Sequence, residues 1–221
     1  MNFFEILWAL REGLWVSIQI FVLTLVISPV LGFLICFGRM SRIKPVALFF
    51  KFFISVMRGT PLMLQLFVVY FLPYYVFGIL LKNMGTNWLF VSVIIGFSVN
   101  YAAYFAEIYR GGFASIPEGQ YEAAKVLGMK RSQTFFLVIL PQLAKRVLPA
   151  MTNEIITLVK DTSIAFAIGQ IEMFTQAKRL ASAEVSMLPY AAAALIYYIF
   201  NLLVAWIMSR IEKKMNKYTI K

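Results

Sequence analysis

The sequence predicts an all-α integral membrane protein with five transmembrane helices. The 221-residue chain is 61% hydrophobic and only 14% charged, where a soluble domain carries about 25% charged residues. Its apolar residues gather into uncharged runs, and a bilayer core of about 30 Å is crossed by roughly 20 helical residues. Its basic residues, which give a net charge of +11, fall into short clusters between those runs, a pattern that orients a membrane protein.

The elements follow in chain order. Residues 2–12 read as a short amphipathic helix on the outer surface, and the opening MNFFEILWALREG is acidic ahead of its first apolar run, unlike a cleaved signal peptide. The first span is expected at 13–38. Residues 45–57 read as an inner-surface lead-in to a second span at 59–81, punctuated by Arg58-Gly59-Thr60-Pro61. A third span follows at 87–109, a fourth at 142–168 and a fifth at 186–209. No internal repeat or low-complexity linker divides the chain, so residues 1–221 read as one membrane domain.

The fourth span is the least apolar, because Glu154, Lys160 and Asp161 interrupt it. Charge bias requires it. Arg39, Arg42, Lys44, Lys51 and Arg58 follow the first span; Arg110, Lys125, Lys130, Arg131, Lys145 and Arg146 follow the third; Arg210, Lys213, Lys214, Lys217 and Lys221 form the tail. All three clusters are cytoplasmic by the positive-inside rule. The chain is then inside at Arg146 and inside again after its last span, so one crossing must lie between. The N-terminus falls outside and the C-terminus inside.

Several classes of function drop out. With no histidine and one cysteine, Cys36, the chain offers no histidine-based triad, no histidine-ligated metal and no disulfide. The clustering of its cations between apolar runs argues against a nucleic-acid partner. No G-x-x-x-x-G-K-[ST] occurs; Gly128-Met-Lys-Arg-Ser lacks the spacing of a phosphate cradle. No cofactor is expected on this chain.

Between the third and fourth spans lies QYEAAKVLGMKRSQTFFLVILPQ, Gln120 to Gln142. Ser115-Ile-Pro-Glu118 has the form of a capping box, with Pro117 in the first turn, and Gly128 suits the left-handed residue that ends a helix. A cytoplasmic helix over about 116–128 is expected. Its Ala123-Ala124 pair forms a low-relief patch rimmed by Glu122 and Lys125, suited to a partner's groove.

The pattern Glu122-Ala123-Ala124, three residues, Gly128, then Val138-Ile139-Leu140-Pro141 resembles the EAA loop of binding-protein-dependent ABC importer permeases, with Val138 where isoleucine is usual. MRGTPLMLQLF, AEIYRGGFASIPEGQYEAAKVLGM and LPAMTNEIITLVKDTSIAFAIG are similar to the polar amino-acid subfamily. The resemblance implies the type I importer permease fold in a bacterial cytoplasmic membrane. It implies that Tyr121, Glu122, Ala123, Ala124, Lys125, Leu127 and Gly128 form a coupling helix for a separate ABC ATP-binding subunit, which holds the ATP and Mg. It implies further a second permease subunit, identical or related, with the route between the two, and an extracytoplasmic amino-acid-binding protein.

The candidate substrate path rests on the fourth span. Glu154, Thr157 and Asp161, spaced i, i+3, i+7, share one helix face, with the carboxylates about 10 Å apart along the axis. Pro149 is placed to kink the helix near its start. Ionisable groups at membrane depth face a cavity or each other, so this face could pass a polar, basic amino acid, with Asn153, Arg58 and Gln65 as further candidates. Alternatively Glu154 pairs with Arg58, and Lys160 neutralises Asp161. The rival function is an ion-coupled carrier or channel subunit with the two acids as ion ligands. Glu107 and Arg110 suit an ordinary boundary pair.

Overall fold

The structure, a computed structural model, describes residues 2–84 and 87–216, and every regular element among them is helical. A capping box of Asn2 and Glu5 opens α1 (Phe3–Ala9), which leads into α2 (Arg11–Arg39). Next come α3 (Lys44–Gly59) and α4 (Leu62–Phe77), bent by 113° at their junction. After α5 (Trp88–Ala114) and the short α6 (Glu118–Val126), α7 (Arg131–Gln133) continues through a π-helical segment, Thr134–Ile139, into α8 (Leu140–Asp161). Then follow a 3-10 segment Thr162–Ile168, α9 (Met173–Glu184) and α10 (Leu188–Asn216). Among the described residues four helical stretches are long and apolar enough to cross a membrane, and the bent α3–α4 pair makes a fifth if it crosses as one. Lys217 and Lys221 of the tail cluster lie outside the described residues.

The core forms where α2 and α5 lie side by side. At Gly32 of α2, an added Cβ would stand 2.7 Å from Phe105 Cβ and 2.8 Å from the Ala102 carbonyl, so only glycine admits this approach. Phe33 and Phe37 of α2 meet Phe113 of α5, so contacts advance together along the two sequences and the helices run parallel. Glu107 and Arg110 form the expected ion pair. At the opposite end of the bundle, buried Ile6 and Leu10 pack with Ala177, Ala192 and Ala193, joining α1 to α9 and α10. There Glu172 caps α9 by accepting from the Phe174 and Thr175 N–H groups, and it accepts from the Tyr197 hydroxyl.

Two departures from the sequence reading have local causes. The helix leading into the fourth span is continuous from Arg131, well before 142, because its first turns carry the polar residues of the basic cluster. Pro141 has no N–H to offer the Leu137 carbonyl, and the chain before it widens into the π-helical turn. Pro149 lies within the body of α8. The expected surface lead-in, α3, ends beside the middle of α5, where the Met57 carbonyl accepts from the Asn100 amide at 3.2 Å.

Candidate functional site

The junction of α3 and α4 is where the backbone is hardest to satisfy. Pro61 offers no N–H, and the helix break leaves carbonyls without intrahelical partners. Gln65 supplies the missing donors: its Nε2 reaches the Met57 carbonyl at 2.9 Å, the Thr60 carbonyl at 3.1 Å and Thr60 Oγ1 at 2.8 Å. Asn100 of α5, almost fully buried, donates to Gln65 Oε1 at 2.9 Å. Gln65 is thus absorbed in holding the break, and the space it borders is an apolar pocket with Val68 and Val69, not a polar path.

Beside this junction, near the middle of α5, lies a cavity of about 290 Å³. Thr60, Pro61 and Leu62 form one wall, Asn100, Tyr101 and Tyr104 of α5 another, and Glu154, Thr157 and Asp161 of α8 a third. The i, i+3, i+7 face of the fourth span therefore does open on one space. The Tyr101 hydroxyl donates to Asp161 Oδ2 at 2.7 Å, which fixes that carboxylate and leaves its second oxygen for another donor. Arg58 stands outside the lining, its guanidinium 5.2 Å from the centroid of the Tyr104 ring. Among the described residues no lysine or arginine lines the cavity.

The other candidates fall elsewhere. Asn153 is exposed and does not line the cavity. Lys160 is exposed and borders a separate space with Tyr190, Tyr197 and Tyr198, while its charge still acts on the Asp161 carboxylate. Sequence reasoning missed the whole α5 wall of the cavity, Asn100, Tyr101 and Tyr104. Asn100 gave a usable signal, since an amide inside an uncharged span must find a partner. The tyrosines gave none, as aromatic residues are common in spans.

The helix expected to meet a partner, α6, also differs in detail from its expectation. Ser115 does not cap α6; it closes α5, donating its hydroxyl to the Gly112 carbonyl at 2.7 Å. The N-cap is Pro117, extended at ψ 140°, so the residue expected in the first turn stands just before it. The C-terminus behaves as read. Gly128 takes φ +71°, and the bonds Met129 N–H to Ala124 and Gly128 N–H to Lys125, both 3.0 Å, make a Schellman closure. The Ala123-Ala124 patch is divided: Ala124 is only 3% exposed and belongs to the core, because one small residue lets α6 lie close on the bundle. Ala123 is exposed, and the prominent apolar groups beside it are Val126 and Leu127, 87% and 78% exposed.

A bundle of apolar helices around a polar cavity, with a short helix displayed at one end, is the architecture of a membrane permease. The model of the binding-protein-dependent transport system inner membrane component family matches residues 28–217, and the chain belongs to that family. It is 34% identical to the L-cystine transport system permease protein TcyB of Bacillus subtilis, over 96% of this chain and 88% of that protein. It is 35% identical to the arginine transport system permease protein ArtQ of the same organism, over 93% and 91%. Its fold matches a crystal structure of an amino acid ABC transporter with histidines at TM-score 0.84 and 32% identity, covering 97% of this chain and 99% of that one.

Proposed function

We propose that this chain is the membrane-spanning subunit of an ATP-driven importer of basic amino acids. It works as a pair around a two-fold axis in the bacterial cytoplasmic membrane, with five spans, the N-terminus outside and the C-terminus inside. An extracytoplasmic binding protein delivers the amino acid. A separate ATP-binding subunit hydrolyses ATP and engages α6.

The observation that carries the substrate class is the cavity with two carboxylates and, among the described residues, no cation in its lining. Removing a carboxylate from water is costly, and a cationic side chain arriving in the cavity offsets that cost. Such a pairing contributes a few kcal/mol, less the desolvation of both partners. The arginine and histidine in the names of similar proteins support this reading, whereas the cystine relative makes the test necessary.

The test is uptake of arginine, histidine and glutamine by vesicles holding the chain with its partners, for Glu154→Gln and Asp161→Asn. Each change is expected to lower arginine uptake at least tenfold, about 1.4 kcal/mol, and glutamine uptake far less. Equal loss for all three substrates assigns the acids to gating or folding and removes the basic-substrate reading.

A further inference from the structure

At the end of the bundle that displays α6 lies a second polar cleft, of about 580 Å³. Three cations from three separate segments converge on it: Arg42 from the α2–α3 turn, Lys125 from α6 and Arg131 from the start of α7. Tyr121 and Thr134 add hydroxyls, Phe135 lies among the lining residues, and among the described residues no carboxylate does. Like charges gathered without a counter-charge repel one another unless an anion joins them, and arginine pairs with phosphate oxygens in a bidentate fork.

Helix geometry separates this cleft from the docking face. At about 100° per residue, Glu122 and Val126 project opposite the buried Ala124, into the space a docked subunit would fill. Tyr121 and Lys125 project instead to one flank, where α6 meets the ends of the spans. Exposed apolar residues adjoin the lining in sequence: Met40 and Ile43 near Arg42, and Phe136 and Leu137 next to Phe135. A cationic cleft far larger than a phosphate ion, bordered by apolar side chains at a membrane boundary, fits a headgroup with its acyl chains attached.

We propose that this cleft binds the anionic headgroup of a phospholipid, whose phosphate bridges Arg42, Lys125 and Arg131 and whose chains run along Ile43, Phe136 and Leu137. The lipid then ties the docking helix to the α2–α3 turn and to the entry of α8. Its assignment to the inner leaflet rests on the orientation proposed above; the binding itself does not.

The experiment is native mass spectrometry of the full chain, purified in neutral detergent and titrated with phosphatidylglycerol and phosphatidylcholine of equal chain length. Phosphatidylglycerol is expected to bind preferentially. Arg42→Gln combined with Arg131→Gln, both at exposed positions, is expected to weaken it roughly twenty-five-fold, at about fivefold per cation. Lys213→Gln with Lys214→Gln removes the same charge from the same end of the molecule and is expected to change it less than twofold. Equal weakening in both pairs would reduce the effect to general charge and overturn the site. Displacement of the lipid by comparable concentrations of inorganic phosphate would make it a soluble-anion site instead. Unchanged lipid binding in the Arg42/Arg131 variant would overturn the site.

Discussion

At the scale of single residues, the junction of α3 and α4 depends on two amides. Gln65 and Asn100 share the Met57 carbonyl and bond each other, so removing either leaves a partly buried polar group unmatched, at a cost of about 1–3 kcal/mol. Gln65→Ala and Asn100→Ala are each expected to lower thermal stability, and the double variant to fall well short of the sum, because the second change removes a group already orphaned by the first. Cys36 is the chain's one cysteine and is buried, so the temperature at which a thiol-reactive dye labels it reads unfolding directly. Strict additivity would show that the amides act independently. Which polar residues serve backbone and which face open space was not legible in the sequence. Gln65 and Glu154 both look like polar intruders in apolar runs; only the proximity of the Pro61 break decides that Gln65 is occupied.

At the scale of elements, α6 shows what pattern reading can and cannot give. Its existence and its end were legible, because a left-handed Gly128 has few other uses after a helical run. Its facing was not, since Glu-Ala-Ala on a nine-residue helix suits either a partner or the bundle. The structure turns Ala124 inward and Val126 outward, and this gives a paired prediction. Val126→Asp is expected to leave the Cys36 labelling temperature within about 2 °C of the parent, since exposed substitutions cost about 0.5 kcal/mol or less, while co-purification of the ATP-binding subunit is lost. Ala124→Asp buries an unpaired charge against the core and is expected to lower the labelling temperature by several degrees. Reversed outcomes would mean that α6 docks through its other face. The start of the fourth span was obscured for a related reason: a polar first turn hides a helix from any test of apolar length.

At the scale of the whole molecule, the question is whether the bent α3–α4 pair carries the chain across the membrane or returns it to the side it left. The packing gives a physical answer. α2 and α5 run parallel, as the Gly32–Phe105 and Phe37–Phe113 contacts require. If α2 and α5 both span, as proposed, parallel spans start on the same side, which supports a crossing by the segment between them. The Trp88 indole bonded to the Tyr70 carbonyl at 3.1 Å places the second half of α4 beside the start of α5, as a crossing demands. Charge bias, which depends only on lysine and arginine in the loops, reaches the same topology by an independent route. The prediction uses single cysteines in a Cys36→Ala chain in intact cells. Met84→Cys and Met187→Cys are expected to react with an impermeant thiol reagent added outside, and Ile43→Cys and Met215→Cys only after the membrane is opened. A re-entrant α3–α4 pair would put Ile43 and Met84 on the same side, and outside labelling of Met215→Cys would invert the molecule, moving α6 away from any cytoplasmic ATPase.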